Sequence, residues 1–202
     1  MNRINYGRHF MILSAAAGFM LFFDRIATMF PDGYAVHAYF ASAGLLHAMA
    51  LVVSLRIDES LLRRCVFVGL AVAASVVTPW AGLVWGGLIV GLGFPKEMGL
   101  FSVIIAASAG GACAYWFMAH ILLFRTFAVS SLLRTVCACV IGTLAAMLLP
   151  RVGISAPLGA LATILWWTAF SGSLFLSDRK DLANTRLHAD RPSRLSPLQG
   201  GG

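Results

Sequence analysis

Residues 65–94 read CVFVGLAVAASVVTPWAGLVWGGLIVGLGF, thirty positions without a single charge and with Pro79 near the middle. A helix of that length is about 45 Å long, against a hydrocarbon core of about 30 Å. The stretch is therefore long for one membrane crossing and short for two. The number of crossings here decides the topology, because everything after Pro79 changes sides if the chain turns back. The basic residues choose between the two readings. With one crossing, twelve Arg and Lys fall on the side of the N-terminus and three (Arg25, Lys96, Arg151) on the other; with two crossings the tally becomes seven against eight, which is no bias. Cytoplasmic loops carry the Lys and Arg excess, so a single crossing is expected, tilted, bent at Pro79 or carrying a short re-entrant turn near Trp80.

Five further apolar runs flank this one, at 10–30, 35–55, 99–124, 132–149 and 154–176. They are apolar on every face, whereas a membrane β-barrel would show short alternating segments. The expected fold is all-α: a polytopic transmembrane helical bundle of six spans over residues 1–176, with both termini cytosolic. The first run passes through Asp24 and Arg25 into further apolar sequence rather than ending at a small-x-small site, so it reads as a retained helix and not a cleaved signal peptide. After Leu176 the composition turns to Arg, Asp, Ser, Pro and Gly, which reads as a disordered basic cytosolic tail over 177–202 facing an anionic inner leaflet.

Composition excludes the alternatives. Of 202 residues 59% are hydrophobic and 11% charged, with a mean hydropathy of +0.84, too little polar surface for a water-soluble particle. The net charge of +7 sits between apolar runs rather than on one soluble face, so nucleic acid is not an expected partner. Thirteen Arg against two Lys point to a GC-rich bacterium, hence to an inner membrane. Cys65, Cys113, Cys137 and Cys139 all lie in apolar runs and read as packing residues; Cys137 and Cys139, two positions apart on a helix, point to opposite sides and do not chelate one metal.

Polar groups inside spans are the candidate functional residues. Asp24, with Arg25 beside it, lies about 9 Å below the outer end of the first span, too deep for a short carboxylate to reach water easily. His47 falls near the middle of the second span and His120 in the inner third of the fourth. Their depths differ by about 6 Å, a gap that one water bridges if the helices are neighbours. Arg125 and Arg134 stand at the same cytosolic end, where they would receive an anionic headgroup or a phosphate-bearing carrier. The plainer alternative is histidines as hydrogen-bonding glue and arginines as topology markers. Haem is not expected: His37 and His47 share a helix about 80° and roughly 15 Å apart and cannot ligate one iron. No cofactor or metal is expected.

The motifs Gly82-x-x-x-Gly86 and Gly87-x-x-x-Gly91, and the small-residue run 106–112, let backbones approach closely. They imply tight packing of the third and fourth spans on each other, or on a second copy or a membrane complex. Trp80, Trp85, Trp116, Trp166 and Trp167 read, at least in part, as interfacial anchors.

Met20-Leu21-Phe22-Phe23-Asp24-Arg25-Ile26 resembles the opening signature of the TraX-type pilin N-acetyltransferases. That resemblance implies acetyl transfer from acetyl-CoA, and carries over only Asp24: the family has His where this chain has Arg25, and its Gly-Arg-x-x-Phe-Pro block does not occur in the second span. Two functions are therefore set side by side. The first is transport of a small or lipophilic solute, or service as a membrane subunit, with Asp24 as the coupling or substrate group. The second is a membrane-embedded acyltransferase using His47 or His120 as general base. A third reading is a non-catalytic structural module. No nucleotide-phosphate loop of the Gly-x-x-x-x-Gly-Lys-Ser/Thr type is present to drive transport.

Overall fold

A computed structural model of the chain describes residues 4–27, 34–55, 60–124, 129–149 and 158–189, with the backbone alone described at 24–27, 158–159 and 177–189. Six helices account for almost all of it: α1 (Tyr6–Ala27), α2 (Tyr34–Ser54), α3 (Leu61–Gly91), α4 (Lys96–Met118), α5 (Val129–Leu148) and α6 (Leu158–Ala189). A π-helical stretch, Ala119–Phe124, prolongs α4. Five of the described helices are long and apolar enough to cross a membrane, and α6 adds a shorter apolar segment, Ala160–Leu176.

The decisive stretch is a single helix. α3 runs unbroken for 31 residues through Pro79, so no re-entrant turn forms. An internal proline deletes one intrahelical hydrogen bond, and long apolar helices tolerate it because neighbouring groups satisfy the freed carbonyl. α6 keeps a helical backbone to Ala189, 13 residues past the point where the composition turns polar. Helix propagation needs only one added hydrogen bond per residue once a nucleus exists, and Leu, Ala, Arg and Lys in this stretch sustain it. The expected disordered tail thus begins as helix; 190–202 lie outside the described residues.

The helices alternate in direction around a ring, each packing on its chain neighbours and α1 closing on α6. Tyr6 meets Phe175 with ring centroids 4.4 Å apart, and Asn5 N–H donates to Ser54 O at 2.7 Å. The starts of α1, α3 and α5 therefore share one end of the bundle with the far ends of α2, α4 and the apolar part of α6.

Along the second half of α3 large side chains face outward and glycines face inward. Leu83, Val84, Trp85 and Leu88 of α3 are exposed, while Gly82 and Gly86 on the opposite face are buried. This inversion is compatible with hydrocarbon surroundings, where burying Leu brings no hydrophobic gain and close approach of small residues supplies the packing. A Cβ at Gly82 would lie 2.8 Å from Ala107 Cβ and 2.8 Å from Val103 O, and one at Gly86 would collide with the Val103 side chain. The expected α3–α4 seam is thus formed by Gly82 and Gly86. Gly87 and Gly91, on the other face, have open space around them.

Candidate ligand cavity and the buried histidines

The centre of the ring is filled unevenly. At mid-depth an aromatic plug forms from Tyr115 of α4 and Trp166, Trp167 and Phe170 of α6; Trp166 and Phe170 stack with centroids 5.5 Å apart and Tyr115 meets Trp167 edge-on at 4.7 Å. Above the plug, toward the start of α2 and the end of α3, lies a cavity of about 640 Å³ lined by α2, α3, α4, α5 and α6. Its wall is mostly apolar, with six hydroxyl side chains: Ser75, Thr78, Ser108, Tyr115, Thr143 and Thr163. Among the described residues no Asp, Glu, Lys or Arg lines it. His37 stacks on Trp80 at 5.4 Å on the α2–α3 side, and both residues line the cavity.

His47 sits beneath this cavity. Its ring lies parallel to Trp167 at 4.3 Å, its Nδ1 meets Ala43 O at 2.6 Å, and Nε2 is buried with no hydrogen-bond partner among the described residues. Since a carbonyl only accepts, Nδ1 carries the proton and Nε2 presents a lone pair. Both Ala43 and Trp167 line the cavity, so His47 is separated from it by one layer of atoms.

His120 is held elsewhere. It lies in the π-helical stretch, stacked on Trp116 at 4.0 Å with Nδ1 3.0 Å from Trp116 O, and Trp116 in turn donates to Ser131 Oγ at 3.2 Å. Each histidine is thus stacked on its own tryptophan, His47 on Trp167 and His120 on Trp116. In the ring α3 stands between α2 and α4. Arg134 is half-buried on α5 and does not line the cavity. Asp24 and Arg25 lie in the last turn of α1, their side chains outside the described set, and Arg125 lies outside the described residues. Among the described residues no three His, Cys, Asp or Glu side chains gather into a metal site.

Two groups escaped the sequence reading. The first is His9, 2% exposed, placed one residue before the expected start of the first span. Its Nδ1 lies 3.0 Å from Ser54 Oγ and 3.3 Å from Ala50 O, and its Nε2 3.0 Å from Ser171 Oγ. Ser54 returns its own proton to Ala50 O at 2.6 Å. Proton accounting then makes Nδ1–H the donor to Ser54 and Nε2 the acceptor from Ser171, tying α1, α2 and α6 in one knot. The signal was in the sequence: His9, Leu13, Ala16, Met20 and Phe23 follow the four-three spacing of one helix face, and all five are buried. The second is the role of the tryptophans. Trp80 and Trp85 are exposed as anchors would be, but Trp116 is fully buried and Trp166 and Trp167 build the plug. Indoles fill the space that small helix–helix contacts leave in the middle of a ring of six.

Cys139 is buried and its thiol points to Trp166 O at 3.8 Å, whereas Cys137 is exposed, so the two diverge as their spacing requires. No known protein family, curated protein or solved structure matches the chain.

Proposed function

We propose that this chain is a six-crossing protein of a bacterial inner membrane, both termini cytosolic, that takes a small neutral lipophilic solute into the cavity between α2 and α6 and transports it or hands it to a larger complex. The cavity is the observation that carries the reading. About 640 Å³ is the size range of small-molecule sites, and walls of Val, Phe, Leu, Ala and Trp side chains with scattered hydroxyls suit an uncharged molecule. A charged solute would meet no counter-charge among the described lining residues to compensate its lost hydration.

The charge bias adds direction. The cavity lies toward the start of α2 and the end of α3, and the Arg and Lys distribution assigns that end to the outer side. The cytosolic end is closed by the His9 knot and by the bond between Thr135 and Ser173 at 2.8 Å. A bundle whose described residues enclose a cavity toward one end and bond across helices at the other is the form expected of one state of an alternating-access cycle. Asp24, on α1, stands as the group proposed to couple that cycle to an ion. The acyltransferase reading gains no supporting contact at the cavity, which neither His47 nor His120 lines.

The test uses the full chain in lipid nanodiscs with N-phenyl-1-naphthylamine, a neutral lipophilic probe that accepts energy from tryptophan. Trp166 and Trp167 line the cavity, so saturable transfer above that of empty discs is expected. Ala162→Phe, which puts a ring into the cavity space, should abolish it. Transfer that never saturates, or that survives Ala162→Phe unchanged, would refute the reading. In proteoliposomes, ion-driven uptake of the probe should fall on Asp24→Asn.

A further inference from the structure

The hydroxyls that line the cavity differ from a random polar set in where their protons go. Thr78 Oγ1 donates to Ala74 O at 2.8 Å, Thr143 Oγ1 to Cys139 O at 3.0 Å and Tyr115 OH to Ala71 O at 2.6 Å. Each hydroxyl has one proton and two lone pairs, so these three have none left to offer. Two more follow from them. Ser108 Oγ lies 3.0 Å from Thr143 Oγ1, whose proton is already committed, so Ser108 is the donor of that pair. Ser75 Oγ contacts Tyr115 OH, whose proton is likewise committed, so Ser75 donates there. Among the lining nitrogens, Trp166 Nε1–H is engaged by Ser108 O at 3.2 Å. The other lining N–H groups belong to Trp80, Trp167 and His37.

Five of the six lining hydroxyls therefore have no proton left to offer a ligand and can only accept from one. From this we infer that the site selects hydrogen-bond donors: its ligand is a neutral lipophilic alcohol, phenol or N–H compound, and the corresponding ether or ketone is discriminated against. The inference rests on the reading that the cavity binds a lipophilic solute and adds which polar group that solute carries. An alcohol that donates into this ring of oxygens gains a hydrogen bond in a low-dielectric space. An ether or a carbonyl oxygen placed there meets lone pairs and leaves both sides unsatisfied. Such an asymmetry is unusual for serines and threonines, which ordinarily rotate to serve either partner. Here helix carbonyls one turn back hold the protons of Thr78 and Thr143, Ala71 O of the neighbouring α3 holds that of Tyr115, and two interhelical hydroxyl pairs hold the others.

The experiment compares 4-heptylcyclohexanol, its methyl ether and 4-heptylcyclohexanone for binding to the full chain in nanodiscs. Each is measured by displacement of N-phenyl-1-naphthylamine and corrected for its partitioning into empty discs. The alcohol is expected to bind about fivefold more tightly than the ether or ketone, the effect of one net hydrogen bond. In Thr78→Val, which keeps side-chain shape and removes an acceptor without freeing another hydroxyl's proton, the alcohol's advantage over the ether should shrink. Ether or ketone binding as tightly as the alcohol to the unsubstituted protein would overturn the donor preference while leaving the cavity as a lipophilic site. Failure of all three to displace the probe would overturn both. The wild-type comparison alone decides the matter if a variant does not fold.

Discussion

The two ends of this bundle are built from the same residue types and put to opposite use. At one end serines, threonines and a histidine bond across helices: Ser54, His9 and Ser171 join α1, α2 and α6, Thr135 meets Ser173, and Trp116 donates to Ser131. At the other, Thr78 and Thr143 turn their protons back to their own helices, Tyr115 and Ser108 bond across to α3 and α5, and a cavity remains among them. Where a polar side chain finds a donor and an acceptor on different helices it closes the ring. His9 spans three helices, because it accepts on one nitrogen while donating from the other and so bridges Ser54 of α2 and Ser171 of α6.

Several measurements can break or sharpen that contrast. The largest effect is expected at the seam that borders the open end. Gly86→Leu should destabilise by at least about 3 kcal/mol, since even a Cβ there meets Val103 and lies 2.9 Å from the backbone of Gly99; a collapse of thermal stability in detergent checks it. Next, His9→Ala removes a bridging ring and leaves a void among buried groups. About 2 kcal/mol is expected, most of it recovered when Ser54→Ala and Ser171→Ala accompany His9→Leu, because then no buried hydroxyl is left unpaired. Thr143→Val at the open end should cost only about 0.6 kcal/mol, the average worth of an interhelical hydrogen bond in a membrane. If Thr143→Val proves more damaging than His9→Ala in the same melting assay, the ends are not different in kind. The smallest effect belongs to Gly87→Leu, where a Cβ meets nothing within 4 Å, and stability should change by less than about 0.5 kcal/mol. A large loss there would instead reveal a partner on that face, such as a second copy.

The α3–α4 seam was legible because small residues at four-residue spacing have few other uses in an apolar helix, and Gly82 and Gly86 lie where that spacing puts them. The site was much less so. His47 and His120 matched in depth but not in azimuth, and azimuth depends on ring order, which a hydropathy pass does not contain. His9 was hidden by a boundary: starting the first span at Phe10 moved the ring to the interface, although the four-three stripe from His9 to Phe23 continues unbroken. The cavity itself left no local trace, since Ser75, Thr78, Ser108 and Thr143 come from three helices.

What the sequence determined by itself is the class of fold, because length and hydropathy are local sums, and a long uncharged run has no stable form in hydrocarbon other than a helix. The tertiary structure alone decided which polar groups meet. A helix fixes only where its own side chains point relative to one another, and whether a proton crosses to a neighbour or returns to its own backbone depends on which oxygen the packing brings within 3 Å.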